Sequence, residues 1–124
     1  LDDVAGAMAA CHLLVSRAGA ITVAEICAAG RASLLLPLAI AQGHQNDNAR
    51  LLAEAGGAEV LSADEATPER LAGLLGDLLG DLAAGGTRLS QMGRAVRALA
   101  RPNAVRDIAG RLEDLLAEQR GEAR

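Results

Sequence analysis

A chain of 124 residues is long enough for one small domain with a core. Apolar residues make up 51% of it and none is aromatic, so the core must be built from Leu, Ile, Val and Ala. The net charge of −4, with every basic residue an Arg, argues against a general nucleic-acid binder, which carries a basic stripe.

Asp2 or Asp3 is placed to cap a short helix ending near Ala10. The apolar run His12–Ser16 reads as a buried strand, and Ala18-Gly19-Ala20 as a small-residue turn. From Ala20 the apolar spacing becomes helical and stops at Gly30, a usual C-terminal stop. Ser33–Pro37 is a second apolar run, and its continuity fits a parallel strand buried on both faces. Residues 38–46 read as a polar loop, followed by a helix from Asp47 to Ala55 that stops at Gly56-Gly57. Ala58–Leu61 is a weaker third strand.

Helices follow. Thr67-Pro68 is a cap with proline at the first helical position, and Leu71, Leu74, Leu75 and Leu78 mark one face. Gly85-Gly86 breaks the run. Leu89, Met92, Val96 and Leu99 mark a second helix; Pro102 opens a third with Val105, Ile108, Leu112 and Leu115 on one side. Residues 117–124 are charged and expected to fray.

Alternating strands and helices predict an α/β fold with a parallel sheet. Ligands in such sheets bind beyond the carboxyl ends of the strands. Two candidate loops fall there, Arg17–Thr22 and Ala39–Asn48. The first joins a strand to a helix start, whose unpaired N–H groups and partial positive charge suit a phosphate. The N–H groups around Ala20, Ile21 and Thr22 would hold a diphosphate, with the Thr22 hydroxyl as a further donor; an ordinary tight turn is the alternative. Glu25 lies one turn in, among Val23, Ala24, Ile26 and Cys27. Its carboxylate accepts only, which suits paired sugar hydroxyls. The competing reading is a favourable place in the helix dipole. Arg17 could face the phosphates or pair with a carboxylate.

Cys11 and Cys27 have no CxxC partner, so buried free thiols are expected, not a metal or redox site. No apolar stretch reaches the ~20 residues of a membrane-spanning helix, and no signal peptide is recognised. Arg88, Arg94, Arg97, Arg101, Arg106 and Arg111 form a basic set on the helical tail, read as a solvated face in preference to a lipid contact.

The segments R-A-G-A-x-T-x-x-E from Arg17 and H-Q-x-x-N-A from His44 together resemble the C-terminal domain of the MurG family of bacterial glycosyltransferases. The resemblance runs from Leu1 to about Leu116. It implies a Rossmann-like sheet, part of the C-terminal, donor-binding domain of a two-domain GT-B enzyme, ending in a helical tail. Residues 1–100 would belong to the donor domain and 101–124 to a C-terminal helix and tail. The family moves N-acetylglucosamine from UDP onto a lipid-linked muramyl-pentapeptide, on the cytoplasmic face of the bacterial inner membrane. By resemblance, Ala20, Ile21, Thr22, Val23, Ala24 and Glu25 line the donor site, with Glu25 on the ribose and Gln45 on the sugar. Leu1 would meet the uracil through its backbone. His44 and Asn48 share the motif with Gln45, Asn48 either touching ligand or bracing the helix start. The family's proposed catalytic base and its acceptor site lie in its other domain, so no catalytic residue is assigned here. No cofactor or metal is implied. Gly30-Arg31-Ala32 lacks a proline usual in the family. The chain starts at Leu1 in mid-pattern, and a fragment is expected. Another nucleotide-sugar transferase of this architecture, or a non-catalytic nucleotide-binding or interaction module, remains the alternative.

Overall fold

The structure is a computed structural model that describes residues 2–38 and 44–121. Helix α1 (Val4–Ala10) begins at Asp3, whose carboxylate accepts from the Gly6 N–H at 2.8 Å. Strand β1 (Leu13–Ser16), helix α2 (Ala20–Ala29), strand β2 (Ala32–Leu35), helix α3 (His44–Glu54) and strand β3 (Ala58–Val60) alternate as expected. Helices α4 (Pro68–Ala83), α5 (Thr87–Arg97) and α6 (Ala104–Gln119) complete the fold.

The strands pair in parallel in the order β1-β2-β3, with Leu13 opposite Ala32 and Ser33 opposite Ala58. The central strand, β2, is buried along its whole length, as its unbroken apolar run requires. Side chains alternate across a strand, and this sorts the core into two layers. Leu35 packs with Val23, Ile26, Leu52 and Val96, under α2 and α3. Leu34 packs with Leu61, Leu78, Leu89 and Met92, under α4 and α5. Helix α5 supplies both layers. Cys27 is buried in the first, and burial pushes its thiol pKa up. Cys11 is only half-buried.

Helix ends are fixed as the sequence suggests in most places. Gly30 closes α2 in the left-handed region at φ 63°, which an L side chain resists. Thr67 caps α4 through its hydroxyl, accepting from the Arg70 N–H at 3.2 Å. Helix α5 has glycine at its cap and no cap of its own. Asp81 of α4 serves instead, accepting from the N–H groups of Arg88 at 3.1 Å and Leu89 at 3.0 Å.

Several boundaries differ from the sequence reading, and β1, expected to be buried, is only half-buried with Val15 exposed. Strand β2 starts at Ala32 and ends at Leu35, short of Pro37. Helix α3 starts at His44, so His44, Gln45 and Asn46 belong to its first turn and not to a loop; polar residues there suit the free N–H groups of a helix start. Helix α6 continues to Gln119, through part of the tail expected to fray. It buries none of its residues.

Candidate functional site

Both candidate loops emerge from the carboxyl ends of β1 and β2, side by side, because those strands are paired in parallel. Helix α2 follows Gly19, whose extended backbone starts the helix with no side-chain cap. The first backbone bond of the helix runs from the Val23 N–H to the Gly19 carbonyl at 2.9 Å. The N–H groups of Ala20, Ile21 and Thr22 therefore have no partner among the described residues. They are the free donors that a helix start presents to an anion.

Two side chains, Arg17 and Asn48, tie the two segments together, and a third, Gln45, closes the second on itself. The Arg17 guanidinium donates to the Leu36 carbonyl at 3.2 Å, which joins the end of β1 to the end of β2. No carboxylate pairs with it among the described residues. The Asn48 amide donates to the Ala18 carbonyl at 3.0 Å, so α3 holds the turn that leads into α2. The Gln45 side-chain carbonyl accepts from the Leu38 N–H at 2.8 Å. That leaves the Gln45 NH2 as the group available to donate outward. The Asn48 bond is a brace between elements, from α3 to the turn before α2. His44 is exposed at the first position of α3.

A largely apolar groove of about 650 Å³ runs along α2. Ala20, Ile21, Ala24 and Glu25 form one wall, and the segment from Leu99 to Pro102 the other. Ile21 is 78% exposed there, and the Glu25 carboxylate stands in the open. Val23 also borders this groove but is buried against the core. Thr22 is half-buried at the helix start, outside the groove lining. Gln45, Asn48 and Arg17 gather at the loops, not in the groove. Leu1 lies outside the described residues, as do residues 39–43 of the second loop. Sequence reasoning missed the Leu99–Pro102 wall, whose only signal is a break between two helical patterns. It also missed the backbone groups of Leu36 and Leu38, which no residue type announces. Among the described residues no three His, Cys, Asp or Glu side chains cluster in a way that could hold a metal.

Parallel strands joined through helices, with an uncapped helix start at the carboxyl edge of the sheet, define a Rossmann-like α/β domain. Residues 1–109 match the glycosyltransferase family 28 C-terminal domain, and the chain belongs to that family. It is 45% identical over 116 residues to the UDP-N-acetylglucosamine–N-acetylmuramyl-(pentapeptide) pyrophosphoryl-undecaprenol N-acetylglucosamine transferase of Azoarcus sp. (strain BH72), covering 93% of this chain and 31% of that protein. The protein of the same name from Phenylobacterium zucineum (strain HLK1) is 46% identical over 112 residues, 90% of this chain and 30% of its own. The crystal structure of Acinetobacter baumannii MurG superposes with a TM-score of 0.82 at 34% identity, covering 91% of this chain and 31% of that one. The chain thus spans about a third of the length of these relatives.

Proposed function

We propose that these residues form the donor-binding part of an enzyme that transfers N-acetylglucosamine from UDP-N-acetylglucosamine to undecaprenyl-pyrophosphoryl-N-acetylmuramyl-pentapeptide, in peptidoglycan synthesis. The relatives carry that activity in their names. The observation that carries the reading is the start of α2. Unpartnered N–H groups at Ala20, Ile21 and Thr22 stand one turn from an exposed Glu25, at the carboxyl edge of a parallel sheet.

The chemistry follows from that placement. The acceptor hydroxyl displaces UDP from the anomeric carbon with inversion, and negative charge gathers on the departing diphosphate. The α2 N–H groups and the Thr22 hydroxyl meet that charge as preorganised donors, which lowers the barrier. The Glu25 carboxylate accepts from the two ribose hydroxyls, and Ile21, Val23 and Ala24 shape the wall beside it. The Gln45 NH2 donates to the sugar, its carbonyl being held by Leu38. His44 borders the same loop, Arg17 keeps the loops in register, and Leu1 contributes its backbone to the uracil. The lipid-linked acceptor and the catalytic base belong to a part of the full-length enzyme outside these residues. Peripheral contact at the cytoplasmic face of the bacterial inner membrane is part of this proposal, resting on the likeness to the named relatives. No helix among the described residues is long and apolar enough to cross a membrane.

Substitution of Glu25 tests the assignment. In the full-length enzyme Glu25→Ala should lower kcat/KM for UDP-N-acetylglucosamine by at least tenfold, about 1.4 kcal/mol, chiefly through KM. Glu25→Gln, which keeps one acceptor oxygen, should be milder. An unchanged kcat/KM in Glu25→Ala would show that the carboxylate serves only the helix dipole.

A further inference from the structure

We infer that the chain carries a second anion site, a basic cleft at the amino edge of the sheet that takes a phosphate-bearing ligand. This goes beyond the donor site, which lies at the carboxyl edge. The cleft measures about 550 Å³. His12 enters it just before β1, Arg31 just before β2, and Ser90, Arg94 and Arg97 from α5. No Asp or Glu lines it. Asp81 and Glu59, acids on the neighbouring α4 and β3, are engaged elsewhere, Asp81 on the α5 N–H groups and Glu59 with Arg88.

Part of this charge has a structural explanation. Arg31 donates to the Ala9 carbonyl at the end of α1, and Arg97 to the Ala28 carbonyl at the end of α2. Each guanidinium has five N–H donors, so neither is exhausted. Arg31 Nε is buried without any partner, and a buried donor left unsatisfied is costly. The Arg94 side chain makes no hydrogen bond or ion pair with a described residue. The dipole of α5 favours a cation in its last turn. It does not account for three guanidiniums and an imidazole bordering one cavity without a counter-charge. Guanidinium groups match phosphate oxygens two at a time. The cavity is of a size that small-molecule sites occupy, larger than one phosphate needs. The shared chemistry is a phosphate carried by a soluble small molecule or by a lipid headgroup.

A titration of the full-length protein with inorganic pyrophosphate, UDP being held in excess to occupy the donor face, tests the inference. Saturable NMR shifts should appear at Gly30, Arg31, Ser90 and Arg94. Arg94→Gln should weaken that binding about tenfold, the size of one charge-assisted hydrogen bond, while leaving the fold intact. A second arm compares co-sedimentation with phosphatidylglycerol and with phosphatidylcholine vesicles. Loss of the phosphatidylglycerol-specific fraction in Arg94→Gln assigns the ligand to a headgroup; pyrophosphate binding alone assigns it to a soluble phosphate. The site is overturned if neither probe binds, or if both bind equally well to Arg94→Gln.

Discussion

The Asn48 side chain donates to the main-chain carbonyl of Ala18 at 3.0 Å, across 30 residues of sequence. Ala18 is fully buried at the turn between β1 and α2. One amide on α3 therefore fixes where α2 begins, and with it the direction of the free N–H groups that are proposed to meet the donor's diphosphate.

Removing that amide should act on both stability and binding. Asn48→Ala leaves the buried Ala18 carbonyl without its partner, at a cost of about 1–3 kcal/mol. Asn48→Asp should be worse, since an ionised carboxylate can only accept and would face another acceptor. Urea denaturation of the full-length enzyme reads the first effect. A rise in KM for UDP-N-acetylglucosamine in the folded variant reads the second. A variant of native stability and native KM would show that the turn holds itself.

Gln45 has two jobs in this arrangement, and two substitutions separate them. Its carbonyl accepts from Leu38 N–H, while its NH2 is free to donate. Gln45→Glu keeps an oxygen for Leu38 and removes the donor; Gln45→Ala removes both. If the sugar contact matters, each variant should lose about tenfold or more in kcat/KM while UDP affinity, measured by calorimetry, stays nearly unchanged. Full activity in Gln45→Glu would reduce Gln45 to a loop brace. Equal losses for UDP and for the UDP-sugar would place its contact on the nucleotide.

The parallel sheet and the helix after each of its first two strands were legible because their signals are local. An unbroken Ser33–Leu36 run, a stop at Gly30 and a Thr67-Pro68 cap each point one way. The position of α2's free donors was legible for the same reason. The ties that hold the loops were not. Gln45 was read as a ligand group, Arg17 as facing phosphates or a carboxylate and Asn48 as touching ligand or bracing a helix start, and each binds a main-chain group that none of these readings named. Those partners are main-chain carbonyls and an N–H, which every residue has, so composition carries no trace of them. The α5 cap was hidden likewise. Its carboxylate comes from Asp81, before the Gly85-Gly86 break, where no capping pattern points to it.

Gly93 shows where helix propensity and packing oppose each other. Alanine in place of a helical glycine ordinarily stabilises by about 1 kcal/mol. A Cβ at Gly93, however, would stand 2.5 Å from the Gly30 carbonyl oxygen, a backbone atom that cannot swing aside. Gly93→Ala should push α5 off the α2–β2 turn and cost a net of about 1–3 kcal/mol. Gly73→Ala on α4 is the control, because nothing lies within 4 Å of a Cβ there. It should leave stability equal or raised by up to about 1 kcal/mol. Thermal unfolding of the pair should give opposite signs; a shared sign would mean that α5 has slack at this contact.

The last prediction concerns residues 1–124 on their own. Helix α6 exposes Val105 at 84%, Ile108 at 62% and Leu112 and Leu116 at 55% each, and nothing on it is buried. Strand β1 pairs only with β2 among the described residues, so its other edge is open, and Val15 on it is exposed. Open edges and apolar faces both invite association. About 400 Å² of uncovered apolar surface, at about 25 cal/mol per Å², amounts to about 10 kcal/mol, comparable to the whole stability of a domain. The isolated chain should therefore sediment as concentration-dependent oligomers, show no transferase activity and bind UDP weakly at best. Ile108→Glu with Leu112→Glu distinguishes the two surfaces. Both side chains lie on α6, so the double variant should stay folded. If the helix drives association it will run as a monomer; if it still associates, the β1 edge is responsible. A wild-type chain that is monomeric at high concentration and binds UDP with micromolar affinity would refute the prediction, and would show that the α2–α3 face suffices for nucleotide binding.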